Sequence, residues 1–438
     1  MNPLATELND AIRQANPHVL EMLSDLGKEM FFPKGILTQS AEAKVKAKRF
    51  NATLGVATEK GHMMGLASLM NQLPGLTADE ALAYAPPAGL AELRSAWKAK
   101  DLKDNPGLAG KPMSLPVVTS GLTHGLSIVA DLFCEPGDVL LLPDQIWGNY
   151  RLTFVTRRGA QIVTFPFYSP DMKGFNVAGF RQTLEKVRAT NRKVIALLNF
   201  PNNPTGYSLT RPEAEQVAAA LHAAAEAGTN VVAVTDDAYF SLFYDPQAMT
   251  ESLFTLLAGR HPRLLAIKCD AATKEVFVWG LRVGFISFSV GGAAQDSPLY
   301  TALEKKVCGE IRGVMSNCSM LSQRVVERAL QSPTFYAERE ARRELMRGRA
   351  DEVKRVLAAP KFADAWDMYP FNSGYFMCVR LKKVGAEPLR KHLLDKYATG
   401  TISTAEHDLR IAFSCVEKEQ IAELFDIIYQ GAKDLAKQ

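Results

Sequence analysis

Long apolar runs are missing from these 438 residues, and no uninterrupted stretch approaches the roughly 18 residues that a membrane-spanning helix needs. The opening residues, MNPLATELNDAIRQANPHVLEML, lack the basic start, apolar middle and cleavage site of a secretory signal. Neither secretion nor membrane spanning is expected, and the expected compartment is the cytoplasm. Cysteine is scarce, and the six present, at 134, 269, 308, 318, 378 and 415, show none of the close spacings that hold a metal or mark a redox dithiol. They read as reduced thiols, with no metal expected. Charge of one sign is also lacking: the net value is +4, and Lys and Arg are spread along the chain, which leaves no electrostatic footprint for nucleic acid. Internal repeats and low-complexity tracts are absent too.

What is there is an ordinary globular composition, 47% apolar and 22% charged, on a chain long enough for two or three structural units. Residues 1–30 read as an amphipathic arm, and Gly35–Thr58 as a polar, Lys-rich stretch outside the main sheet. From about residue 115, short aliphatic runs alternate with helical stretches: Pro116–Val118, Val139–Leu142, Ile162–Phe165, Val194–Leu198, Val231–Thr235, Leu264–Ile267 and Val283–Phe288. That rhythm predicts the α/β class, layered around a largely parallel sheet. Ligands of open α/β sheets gather at the carboxyl ends of the strands, so Asp236, Asn203 and the residues after Ile267 are expected to converge. A helical run over Thr334–Ala358 then leads to mixed short elements ending in Ile421–Ala436, which reads as a second domain.

Several residues near those strand ends carry chemical potential. Lys274 follows the Leu264–Ile267 run by a short loop, where a shielded amine becomes a nucleophile, although a single lysine is ordinarily a solvated one. Arg282, in Gly280-Leu281-Arg282-Val283-Gly284, offers a fixed fork for a phosphate or, equally, a structural ion pair. Asn203, in Asn202-Asn203-Pro204-Thr205-Gly206, is held by turn chemistry at a sheet end. Asp236-Asp237-Ala238-Tyr239 follows a buried strand and brings a carboxylate and a phenol to the same crevice, or else caps a helix. The turn Ser120-Gly121-Leu122-Thr123 between a strand and a helix suits an anion.

In combination, the order and spacing of these segments resemble the class I, aspartate-aminotransferase-like family of fold-type-I pyridoxal-phosphate enzymes, from about Tyr84 to Arg410. The resemblance implies a large pyridoxal-phosphate-binding domain at 68–340 with a mostly parallel central sheet. It also implies a smaller α+β domain made from 31–67 and 341–438, and an N-terminal arm at 1–30. It implies pyridoxal 5'-phosphate held as a Schiff base on Lys274, with Asp236 on the pyridine nitrogen and Asn203 and Tyr239 on the phenolic oxygen. Trp147 would stack on the ring, and Trp147 and Asn203 would both also border the substrate. Gly121, Leu122, Thr123 and Arg282 would cup the phosphate, joined by Tyr84 of a neighbouring subunit, which makes the expected unit a homodimer. Arg410 would clamp the substrate α-carboxylate, and Arg312 of the neighbouring subunit a side-chain carboxylate. Two positions depart from the pattern: Ala271 stands where a phosphate-binding serine is usual, and Leu122 where glycine often is. Both imply a rearranged phosphate site.

The implied activity is transfer of an amino group from an L-amino acid, aspartate first and aromatic amino acids next, to a 2-oxo acid such as 2-oxoglutarate. A pyridoxal-phosphate lyase on the same fold is the nearest alternative, because reaction choice depends on which substrate bond stands perpendicular to the cofactor plane. A non-catalytic ligand sensor is the alternative from another class, but the chain has no extra N-terminal module with a recognition-helix pattern.

Overall fold

The computed structural model describes residues 2–15, 36–53 and 55–437. The expected arm is therefore described only as a helix over Pro3–Ala15; its remainder and Leu54 lie outside the described residues. Within the polar stretch that follows, Ile36–Lys46 forms a helix.

Seven strands build the central sheet: β1 Val117–Thr119, β2 Val139–Pro143, β3 Gln161–Phe165, β4 Lys193–Asn199, β5 Asn230–Asp236, β6 Leu264–Ala271 and β7 Gly284–Val290. Their order is β1-β7-β6-β5-β4-β2-β3, and every pairing is parallel except the two made by β7. The expected α/β layering around a largely parallel sheet is what the chain forms.

Strand alternation explains why both faces are covered. Leu140, Leu142, Ile195, Leu197, Val232 and Val234 point into one core, which also takes Leu126 and Val129 of the helix Leu122–Phe133. Val139, Leu141, Val194, Ala196, Val231 and Ala233 point into the other, against Phe180 and Leu184 of Val177–Thr190 and Val217 and Leu221 of Arg211–Glu226. A period of two with apolar residues at every position can be buried only between two layers of helix. The helix Arg211–Glu226 starts where it does because Thr210 and Glu213 form a reciprocal capping box with Pro212 in the first turn.

A second, antiparallel sheet has the order β8-β9-β11-β10, from β8 Trp366–Met368, β9 Phe376–Leu381, β10 Ile402–Ser403 and β11 Asp408–Ala412. The long helix Phe335–Leu357 leads into it, and Ile421–Ala436 packs against that helix. The N-terminal segment joins this end of the molecule, since Phe50–Asn51 pairs in parallel with Thr399–Gly400.

The two sheets meet at Gly206, which follows β4 at φ 71°. Its carbonyl accepts from the Asn372 and Ser373 amides at 3.0 and 2.9 Å, and a Cβ there would run into the Phe376 carbonyl oxygen. Gly206→Ala combines left-handed strain with that collision and is expected to cost more than about 1 kcal/mol. Urea denaturation checks this; wild-type stability would contradict the packing described.

Candidate active site

Register brings the chemistry to one edge of the central sheet. Asn199 at the end of β4 stands opposite Asp236 at the end of β5, and Asp236 stands opposite Cys269 of β6. Because β7 runs backwards, its first residue Gly284 pairs with both Ala271, the last of β6, and Thr119, the last of β1. The residues entering β7 thus arrive at the same edge that the other strands leave. A cavity of about 360 Å³ opens there.

Lys274 lines this cavity. Where a short loop was expected after Ile267, β6 instead continues to Ala271 and a single helical turn, Ala272–Glu275, carries the lysine. The parallel partner β5 and antiparallel β7 extend the strand beyond its apolar run, a tertiary effect that local pattern does not encode. Lys274 Nζ lies 4.8 Å from the centre of the Tyr239 ring. Burial pulls its pKa from 10.5 down to about 8, opposed by the Asp236 charge and helped by Arg282.

Asp236 is 2% exposed and fully engaged. Tyr150 Oη donates to Oδ2 at 2.6 Å, while the Ala238 amide and Asn199 Nδ2 donate to Oδ1 at 3.0 and 3.1 Å. Burial pushes its pKa up, and these donors and the Lys274 charge oppose that. Asn199 also accepts from the Asn203 amide at 2.8 Å, so one side chain orients the Asp236 and Asn203 segments together. Tyr239, buried beside Asp236, has its pKa raised by burial and therefore stays a hydroxyl donor.

Arg410 comes from the middle of β11, 2% exposed. Its Nη1 donates to Asn203 Oδ1 at 2.9 Å and its Nη2 to the Thr53 carbonyl at 3.1 Å, and the Phe376 ring packs 4.1 Å from the guanidinium carbon. Its buried Nε has no partner. All of its hydrogen-bond acceptors are neutral carbonyls, so the charge is uncompensated among the described residues. Arg282 has a left-handed backbone, φ 53°, and donates to the Trp279 carbonyl at 3.1 Å. It packs so closely on the turn after β1 that a Cβ at Gly121 would strike its guanidinium.

Of the other residues singled out in the sequence, Leu122, Thr123, Trp147 and Asn203 line the cavity. Gly121 caps the helix Leu122–Phe133 immediately behind it. Two lie away from the cavity of their own chain: Tyr84 is 89% exposed, and Arg312 is exposed at the end of the helix Pro298–Val314, 2.5 Å from Ser316 Oγ. The sequence reading did not single out Tyr150 or Asn199 as functional. Spacing could have flagged both, since Tyr150 lies one turn after Trp147 and Asn199 ends the strand before Asn203. Ser40, Thr53 and Gly55 also line the cavity but carry no local signal, because Thr53 meets Arg410 across 357 positions.

The residues present therefore fit a small, multiply anionic group with an aromatic ring. Lys274, Arg282 and Arg410 face the cavity with Asp236 as the one carboxylate on its wall among the described residues, and Trp147, Tyr150, Tyr239, Trp279 and Phe376 supply flat apolar surface. No helix among the described residues is long and apolar enough to cross a membrane, and no cluster among them could hold a metal ion.

Comparison with known proteins agrees with this geometry. A family model described as "Aminotransferase class I and II" matches residues 58–428. The bifunctional aspartate aminotransferase and glutamate/aspartate-prephenate aminotransferase of Petunia hybrida is 27% identical over 206 residues, covering 47% of this chain and 39% of that protein. The arginine–pyruvate transaminase AruH of Pseudomonas aeruginosa is 27% identical over 293 residues, covering 66% and 65%. The chain thus spans about half the length of the curated relatives it matches. An aminotransferase from Anaerococcus prevotii shares the fold with a TM-score of 0.81 and 22% identity over 94% of this chain and 98% of that one.

The lowered pKa of Lys274 has a consequence for stability without cofactor. Between about 8 and 10.5 the unfolded chain still holds a proton that the folded chain has released, so stability rises with pH across that window. Lys274→Met removes the cost of a buried cation. Its melting temperature should exceed that of wild type most at pH values below about 8 and converge toward it by 10.5. A difference that is flat in pH would contradict the assignment.

Proposed function

Because the chain belongs to the aminotransferase class I and II family, whose enzymes use pyridoxal phosphate, we propose that it moves an amino group from an L-amino acid to a 2-oxo acid at Lys274. The observation that carries this reading is a cavity lined by three cations without ion-pair partners among the described residues, the partly buried Lys274 and the arginines Arg282 and Arg410, together with a fully engaged carboxylate, Asp236. When bound, the cofactor ring accepts the electron pair released at the substrate α-carbon.

The chain's own residues do the rest. Lys274 would hold the cofactor, and its Nζ, when free, would move the substrate α-proton, a role suited near neutral pH to an amine pulled down to about 8. Asp236, fixed by Tyr150, Asn199 and the Ala238 amide, keeps the pyridine nitrogen protonated. Tyr239 and Asn203, both on the cavity wall, would hold the cofactor's phenolic oxygen, and Trp147 would pack on its ring. Arg282, the Gly121–Thr123 turn and Thr123's hydroxyl take the phosphate, with Leu122 contributing its backbone amide. Arg410 takes the α-carboxylate: its unpartnered Nε and neutral acceptors leave it without a counter-ion until substrate arrives.

Aspartate is the proposed donor and 2-oxoglutarate the proposed acceptor, on the premise of a homodimer in which Arg312 and Tyr84 of one copy reach the cavity of the other. Both side chains are exposed on the isolated chain, as that premise requires. The second reading, an aromatic donor, is favoured by the aromatic walls of the cavity and by the lack of a fourth cation on its lining among the described residues.

Titrating the loaded protein with aspartate should convert the absorption band of the lysine-bound cofactor, and 2-oxoglutarate should restore it. Conversion by phenylalanine but not aspartate selects the aromatic reading. A protein that takes up pyridoxal phosphate but never converts its band with any amino acid contradicts transamination.

A further inference from the structure

A second group of buried charges lies directly beside the cavity and takes no part in its lining. Lys268 of β6, 1% exposed, reaches Asp101 at 3.1 Å and Asp237 at 3.6 Å, and pairs with Asp270. Lys100, 2% exposed and the neighbour of Asp101 on the helix Ala91–Asp104, reaches Glu275 at 2.8 Å and Asp104 at 3.1 Å. Burying ion pairs is a poor route to stability, because well-packed apolar residues of the same volume often do as well or better. Charges in this place therefore call for another role.

Their sequence positions suggest it. Asp237 follows Asp236, and Glu275 follows Lys274. The lysine rides on a helical turn of four residues, too short to hold its own shape. Tyr375 Oη donates to the Lys274 carbonyl at 3.2 Å, and on the side away from the cavity lining the turn is anchored by Glu275, whose buried carboxylate meets Lys100 at 2.8 Å, with Arg339 farther off at 3.9 Å. On the other arm, Asp101 pairs with Lys268, and it is Lys268 that reaches Asp237 at the end of β5. Two consecutive residues of one helix thus connect to the chain neighbours of the amine and the carboxylate of the site, Lys100 directly to Glu275 and Asp101 through Lys268 to Asp237.

We propose that Lys100 and Asp101 form a positioning strut which, through Glu275 on one side and Lys268 with Asp237 on the other, sets the separation of Lys274 and Asp236. These are positioning residues, since none of them lines the cavity. The strut rests on the reading of Lys274 as the reacting amine.

The test uses the loaded enzyme. Glu275→Gln keeps the shape and leaves Lys100 its partner Asp104. It is expected to bind cofactor, to lose roughly tenfold to a hundredfold in kcat with a smaller change in KM, and to shift the midpoint of the cofactor band's pH titration. Lys100→Met combined with Glu275→Gln removes both charges together, so it should fold as wild type does yet show the same losses, whereas Lys100→Arg should retain wild-type values. Wild-type kcat and titration midpoint in Glu275→Gln or in the double variant, even with a lower melting temperature, would overturn the strut and leave the reading of the site intact. A wild-type protein that never takes up pyridoxal phosphate would overturn that reading, and the strut with it.

Discussion

The antiparallel pairing of β7 with β6 and β1 decides where the site can form. Were β7 parallel to its neighbours, the segment Trp279–Val283 would enter from the opposite edge of the sheet, and Arg282 would sit a full strand length from Lys274. The reversal is possible because Gly284 carries no side chain: a Cβ would lie 2.5 Å from the Gly121 carbonyl carbon and 2.8 Å from the Leu122 amide. That close approach locks the turn after β1 against the start of β7. Arg282 then adopts a left-handed backbone, which costs a non-glycine residue about 1–2 kcal/mol and is retained because the strand and the turn on either side are fixed.

Within that frame, one physical effect yields two different outcomes. Burial lowers the pKa of Lys274 and of Arg410 alike. The lysine starts low enough to reach about 8 and becomes a base near neutral pH, while a guanidinium starts so high that it remains a cation. The same cavity thus holds an amine that can carry a proton and a guanidinium that keeps its charge, as the proposed reaction needs. Burial also keeps Tyr239 a donor, and the hydrogen bonds on both oxygens of Asp236 hold that carboxylate in one orientation.

Much of this was legible in the sequence because the sheet's strands are continuous apolar runs and the polar residues follow them directly. Lys274, Asp236, Asn203 and Leu122 each lie within a few positions of a strand end, so α/β topology alone brings them together. Arg410 was placed by resemblance, since nothing local to Leu409-Arg410-Ile411 says that β11 of a second sheet faces the first. What stayed hidden is long-range. The Thr53 carbonyl on Arg410, the extension of β6 to Ala271, and the ion pairs from Lys100 and Asp101 depend on which segments pack together, and no spacing in the chain reports that.

Reductive trapping addresses the central claim most directly. The loaded protein would be treated with borohydride and digested, and the lysine carrying the reduced cofactor located by mass spectrometry. The site described here predicts the label on Lys274 alone. Label on Lys268, the buried lysine two strand residues from Asp270, or on a surface lysine would contradict it.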